Sequence, residues 1–292
     1  MRKEMQRCVR SVIAEHSDAA LIMIDIGGMA FSDLCRKYPD RVKNIGIFEP
    51  GTVSLAAGLS LNGITPFVYG ISPFIVQRSL EQLKLDFIYQ QTGGNFITTG
   101  ASYDFSTLGY SHYCAEDAAT LKTLPGFEVL CPGTPDQFRA LFDACWDDGR
   151  PTYYRMTDFC NNTQAEVEFG KAAILRRGQE GTVVVMAEML DAAMEAFRDK
   201  NVTILYYTTA APFDRETLRQ CFTGHDLYLC HPFYEGTFAY DIQQALGDKQ
   251  FTLHEAAVPL QVLRNYGTKK EKDEYLHLTA RTLFNSTIKG GL

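Results

Sequence analysis

No stretch of this chain is apolar over the roughly 20 residues needed to cross a bilayer, which excludes a membrane-spanning helix. The eight cysteines, Cys8, Cys35, Cys114, Cys131, Cys145, Cys160, Cys221 and Cys230, contain no C-x-x-C pair, and several lie in apolar runs such as Val129-Leu130-Cys131. That pattern excludes a zinc ribbon and a disulfide framework and points to buried thiols in a reducing compartment, the cytoplasm. His16, His225, His231, His254 and His277 show no metal-ligand spacing, and no nucleophile elbow is present. Basic residues are outnumbered, 28 against 35 acidic, for a net charge of -7, and they are scattered rather than blocked. Nucleic acid and anionic membranes are therefore excluded as main partners. There is no internal repeat and no low-complexity tract. The start, Met1-Arg2-Lys3-Glu4-Met5, leads into an amphipathic pattern and not into an apolar signal core.

What is present is a large supply of core residues: 46% of 292 residues are hydrophobic, enough for two domains. The first half alternates strand and helix patterns. Met5, Val9, Val12 and Ile13 mark one stripe of a helix over residues 2–15. Continuous apolar runs at 20–26, 45–48, 65–69, 96–99, 127–131 and 152–156 read as buried parallel strands. Between them, helices are predicted over 52–61, stopped by Asn62-Gly63, over 74–90, with Val76, Leu80, Leu83 and Phe87 on one face, and over 116–124. Thr134-Pro135-Asp136-Gln137 opens another helix, with Thr as N-cap, Pro at the first helical position and Gln as a capping-box partner. The polar stretch 158–168 reads as a linker. Beyond it strands at 182–187, 202–207, 227–230 and 251–254 alternate with helices at 190–198, 214–222 and 237–246, and a final helix spans 270–288. The expected class is α/β in two domains, 1–160 and 168–292, each a mostly parallel sheet with helices on both faces.

The most informative segment is Gly46-Ile47-Phe48-Glu49-Pro50-Gly51, just ahead of the small-residue run Leu55-Ala56-Ala57-Gly58-Leu59. A carboxyl between apolar neighbours is held near its neutral form and can trade a proton with a bound heterocycle; an acid in the first turn of a helix is the simpler reading. Gly109-Tyr110-Ser111-His112 precedes the helix at 116. A His just before a helix N-terminus is kept neutral there, or else it merely bonds a carbonyl while Ser111 or Glu116-Asp117 caps the helix. Asp25 stands at a strand end, where open parallel sheets place their sites, or in a turn before Gly27-Gly28. Phe74 offers a flat face to a ligand or to the core. Arg78 meets a phosphate, or pairs with Glu81 or near Glu49. Asp148-Gly149 with Asn161-Asn162 mimics a metal-diphosphate motif, but the strand at 152–156 intervenes.

In order and spacing these segments resemble the C-terminal half of transketolase-type thiamine diphosphate enzymes. The resemblance covers nearly the whole chain. It is carried by Asn44-Ile45-Gly46-Ile47-Phe48-Glu49 with Ala56-Ala57-Gly58-Leu59, and by Ile64-Thr65-Pro66-Phe67 and Ser72-Pro73-Phe74. Gly109-Tyr110-Ser111-His112 stands where the family has G-P-T-H, and Leu124-Pro125-Gly126-Phe127-Glu128-Val129 and Ala211-Pro212-Phe213-Asp214 are similar to further family segments. The resemblance implies a pyrimidine-binding domain followed by a transketolase C-terminal domain. Glu49 would hydrogen-bond the pyrimidine of thiamine diphosphate and favour the imino tautomer that removes the thiazolium C2 proton. Phe74 would stack on that pyrimidine, His112 would face the substrate carbonyl, and Asp25 would lie near the thiazolium edge, with Arg78 also at the cofactor.

The family holds the cofactor diphosphate and its Mg2+ through a G-D-G…N motif in a preceding domain, and this sequence has no such segment. The resemblance thus implies a split enzyme, active only with an N-terminal transketolase-like subunit that carries the diphosphate and Mg2+ site, in a heterotetramer. It also implies transfer of a ketol or acyl unit from a donor ketone to an aldehyde. Two positions depart from the pattern: Leu108 replaces an Asp that holds a substrate hydroxyl, and a family His falls at about Gly100-Ala101. A site that loses such groups loses its discrimination for an ordinary sugar phosphate, so a deoxy or otherwise modified ketose, or a non-sugar donor, is expected. The alternatives are a 2-oxo acid dehydrogenase E1 β-like subunit and a non-catalytic relative that binds a partner.

Overall fold

In a computed structural model of the protein, residues 1–288 are described, and their strands form two separate sheets. The strands are β1 Ala19–Met23, β2 Val42–Asn44, β3 Thr65–Ile71, β4 Gly94–Thr99, β5 Glu128–Leu130, β6 Pro151–Met156, β7 Ala173–Arg176, β8 Gly181–Met186, β9 Thr203–Tyr207, β10 Thr209–Ala211, β11 Asp226–Tyr234 and β12 Thr252–Val258. The first sheet has the order β10-β5-β6-β4-β3-β1-β2 and the second β12-β11-β8-β9-β7. All pairs are parallel except β10 on β5 and β7 on β9. The expected α/β class with mostly parallel sheets is what the chain adopts.

Every residue of β1, β4, β6, β8 and β9 is buried, as sheets covered on both faces require. The helix Arg2–Glu15 lays Met5, Val9, Val12 and Ile13 on the first sheet and against the helix Pro135–Cys145. Thr134 caps that second helix, its side chain accepting from the Gln137 N–H at 3.3 Å. The Gln137 side chain accepts from Gly133 N at 2.9 Å instead of returning to Thr134, so half of the predicted capping box forms.

Several elements differ from the sequence reading. The second strand lies at Val42–Asn44, not 45–48. Asn44 Oδ1 accepts from Gly46 N at 3.1 Å and Gly46 turns with φ 77°, so the chain leaves the sheet and Ile47 and Phe48 point outward. The helix expected over 74–90 is broken into Ser72–Val76, Leu80–Gln82 and a π-helical stretch Leu83–Tyr89, although Val76, Leu83 and Phe87 still share the buried side. The final helix is two, Lys269–Tyr275 and Ala280–Ile288, parted near His277 at φ 57°. Strands β7 and β10 were not predicted, and β10 carries a strand from the second half onto the edge of the first sheet.

Between the two sheets lies Arg155, fully buried. Its Nε donates to Asp117 Oδ2 at 3.0 Å, its Nη1 to Glu188 Oε2 at 3.0 Å and its Nη2 to Ser102 Oγ at 2.6 Å, and its guanidinium stands 4.6 Å from the Phe233 ring. Asp117 and Ser102 come from the first half, Glu188 and Phe233 from the second, so one cation ties the halves together.

Candidate functional site

The carboxyl ends of β1, β2, β3 and β4 lead directly into the segments that carry the candidate residues, the edge at which open parallel sheets hold ligands. The chain after β2 enters the helix Glu49–Leu61, and Glu49 is its first residue, buried, with Pro50 behind it. The small residues Ala56 and Ala57 let this helix pack closely in the core, which sinks its first turn. The chain after β3 places Phe74 and then Arg78.

Arg78 joins the group. Its Nη1 donates to Glu49 Oε1 at 3.0 Å, and its guanidinium lies 3.9 Å from the centre of the Phe74 ring. The other neighbour of Phe74 is His112, edge to face with ring centroids 5.2 Å apart. Glu49, Arg78, Phe74 and His112 therefore form one continuous contact. Of the partners considered for Arg78 in the sequence, the structure selects Glu49.

His112 closes a short 3-10 turn, Tyr110–His112, five residues ahead of the helix Asp117–Leu121, so it does not face that helix's N–H groups. Burial, and then the positive charge of Arg78, lower its pKa from the ordinary histidine value, which favours the neutral ring. Ser111 Oγ lies 3.0 Å from His112 Nδ1 and does not cap the helix.

Asp25 stands apart from this group. It sits at φ 61° beyond β1, with its N–H donating to Asn44 Oδ1 at 3.2 Å, and lines a cleft of about 560 Å³. Phe105 connects the two places: it borders the cleft and its ring lies 6.3 Å from that of His112. Sequence reasoning missed Phe105, and the signal for it was Gly100. At φ 85° this residue must be Gly, and a Cβ there would fall 2.5 Å from the Phe105 ring. Space that a larger side chain at 100 would fill is occupied by a phenyl ring. Leu108 is exposed on the same loop. Also missed were Arg2, Gln6 and Thr99 on the cleft wall, where Thr99 Oγ1 is buried with no hydrogen-bond partner among the described residues.

Met29, Ile47 and Phe48 are 94%, 71% and 62% exposed around this end of the sheet, and Leu55, Leu61 and Tyr89 are exposed as well. No helix among the described residues is long and apolar enough to cross a membrane. All eight cysteines are free thiols, six of them buried.

Residues 1–158 match the model of the transketolase pyrimidine-binding domain. The chain is 32% identical over 273 residues to an uncharacterised 33.6 kDa protein in the fasciation locus of Rhodococcoides fascians, covering 92% of this chain and 87% of that one. It is 29% identical over 227 residues to a subunit of the apulose-4-phosphate transketolase of Phocaeicola vulgatus, covering 74% of this chain and 71% of the relative. Its fold superimposes with a TM-score of 0.85 and 22% identity on a solved split gene transketolase, an inactive beta4 tetramer, covering 99% of this chain and 97% of the other.

Proposed function

This chain belongs to the transketolase family, and we propose that it is the C-terminal subunit of a split thiamine-diphosphate-dependent transketolase. The observation that carries the reading is the contact running from buried Glu49 through Arg78 to Phe74 and His112. An aminopyrimidine needs a water-poor carboxyl beside a flat aromatic face, and Glu49 and Phe74 provide this pair within reach of one guanidinium. Thiamine diphosphate, when bound, supplies the carbon nucleophile that the protein lacks.

The chain's own groups then have distinct tasks. Glu49 would hold a proton position toward a pyrimidine nitrogen of the bound cofactor, while Arg78 fixes its rotamer by engaging one of its two oxygens. Phe74 orients the flat ligand and excludes water. Neutral His112 donates a hydrogen bond to an oxygen as charge develops on it, with no prior deprotonation required at pH 7. Asp25 faces the cleft from the next strand.

Diphosphate and Mg2+ belong, in this reading, to an N-terminal transketolase-like subunit seated on the exposed Met29, Ile47 and Phe48 flank. A surface this apolar beside a buried acid is characteristic of an interface. The complex would contain two copies of each chain and work in the cytoplasm, in keeping with the free thiols. Apolar Phe105 and Leu108 at the substrate side support a ketose or ketone donor with fewer hydroxyls than an ordinary sugar phosphate.

The test is reconstitution with the diphosphate-binding subunit, thiamine diphosphate and Mg2+, with consumption of hydroxypyruvate and of pyruvate followed side by side. Hydroxypyruvate should be used in preference, and Glu49→Gln should lower turnover by about 10²- to 10⁴-fold, the range expected for losing a positioned proton-transfer group. Unchanged turnover in Glu49→Gln would reduce the site to a structural role. Tight binding of thiamine diphosphate by the isolated chain would overturn the split-site arrangement.

A further inference from the structure

His112 sits on a loop that belongs to the first half but is fastened to the second. The loop runs from Gly100 to Cys114 and its neck is closed by the Ser102–Cys114 bridge, with Cys114 N donating to Ser102 O at 2.7 Å. Three contacts then tie it to the segment 265–273, on both sides of His112 in sequence. Buried Tyr103 donates its hydroxyl to Asp273 Oδ1 at 2.7 Å. Gly109, at φ 83°, lies so close to Tyr266 that a Cβ would fall 2.5 Å from its ring. Tyr113, the residue after His112, donates to Asn265 O at 3.4 Å.

The receiving segment is itself braced. Lys269 Nζ bonds both oxygens of Asp273 at 2.9 Å and stands 5.2 Å from the Tyr103 ring. Buried Lys272 donates to Asn265 Oδ1 at 2.6 Å and stands 5.2 Å from the Tyr113 ring. Burial and the Asp273 charge keep the Tyr103 hydroxyl protonated far above neutrality, so it remains a donor throughout the working range of pH.

We propose that Tyr103 and Asp273 are positioning residues for His112: their hydrogen bond across the two halves fixes the loop that presents the imidazole to the substrate. The proposal rests on the reading of His112 as a site residue. The neck of the loop is buried through Ala101, Tyr103, Tyr113 and Cys114, whereas the tip carries exposed Leu108, Tyr110 and Ser111 beside a partly exposed His112, so the register of the tip against Phe74 depends on how the clamp holds the neck.

The experiment compares Tyr103→Phe, Asp273→Ala and Asp273→Asn with the unaltered protein. Asp273→Asn keeps an acceptor oxygen and serves as the conservative rescue. Amide hydrogen exchange is measured on the chain alone, which needs neither partner nor substrate. Tyr103→Phe should speed exchange over residues 105–113 by about five- to tenfold, the effect of one lost hydrogen bond; Asp273→Ala, which also frees Lys269, should do at least as much, and the double variant should go no further than Asp273→Ala. Asp273→Asn should stay close to the unaltered protein. In the reconstituted enzyme, the same two variants should lower kcat roughly tenfold with little change in KM, as a misplaced group does. Exchange that is unchanged at 105–113, or raised evenly along the chain, overturns the clamp. If the unaltered complex turns over no ketose, the transketolase reading fails while the exchange result still decides the clamp.

Discussion

Two arginine–carboxylate clusters sit in the same chain and do opposite things. Arg155 is 1% exposed between Asp117 and Glu188, themselves 0% and 2% exposed, with all three guanidinium nitrogens engaged. Arg78 is 47% exposed and holds Glu49, 6% exposed, through a single oxygen. The first cluster is saturated and enclosed by both halves of the molecule, so nothing can reach it and its role is architectural. The second is open on one side, lies against two aromatic rings and is bordered by exposed apolar residues. Where a cation is left half in solvent beside a buried acid, its remaining bonding capacity is available to a ligand.

The largest effect should come from breaking the closed cluster. Arg155→Met would strand two carboxylates without a counter-charge and is expected to lower stability by roughly 3–5 kcal/mol. Chemical denaturation measures this directly. Arg155→Met combined with Asp117→Asn and Glu188→Gln should regain a large share, because a buried charge triad is costlier to break than to replace. A loss below about 1 kcal/mol in the single variant would mean that the halves are joined mainly by apolar packing.

This contrast also marks what the sequence disclosed. Most strands of both sheets, β2, β7 and β10 excepted, are legible because each is a short continuous apolar run, and the helix read over 52–61, which starts at Glu49 in the structure, because its small residues end at Asn62-Gly63. Glu49 could be picked out because an acid interrupts such a run. Arg155 could not: it lies in Tyr153-Tyr154-Arg155-Met156, and its partners are 38 and 33 residues away in the chain. Phe105 escaped for a related reason: Gly100 is visible in the sequence, but its positive φ and the ring packed against it appear only in the fold. Strand β10 has three residues, too few for any periodicity, and the path of 45–48 was decided by a turn at Gly46 and not by hydrophobicity. The order of segments was written locally; the contacts between halves were not.

A second, smaller effect tests the boundary between the two clusters. Asp104, on the His112 loop, accepts from Thr157 Oγ1 at 3.2 Å and from Asp158 N at 3.0 Å. Burial first, and then the nearby Glu188 charge, push its pKa up to about 7 from 3.8, against the pull of Lys269 and Arg155. The folded protein therefore binds a proton that the unfolded chain has released between about pH 4 and pH 7, so this group's contribution to stability falls as pH rises across that window and levels off above it. Asp104→Asn mimics the protonated form. It should flatten this part of the pH–stability curve, being neutral at pH 4 and more stable than the unaltered protein at pH 8. Urea midpoints across the range would show it, and parallel curves for the two proteins would contradict it.

The smallest effect belongs to the open cluster, and its smallness is the point. Replacing both members, Glu49→Gln with Arg78→Met, leaves no unpaired charge, so stability should change by less than about 1 kcal/mol even though turnover in the assembled enzyme collapses. In Arg78→Met alone, His112 offers a further reading of the same geometry. Burial is the first cause of its lowered pKa and the Arg78 charge the second, so removing the guanidinium should raise the imidazole pKa without restoring it to the ordinary value. Titration of the His112 ring by NMR measures this in the chain alone. A ring that titrates unchanged would mean that solvent screens Arg78 from His112. The four residues would then be joined by contact alone, Arg78 on Phe74 and Phe74 on His112, with no charge coupling to the imidazole, and the contrast with the buried triad would be one of exposure and not of function.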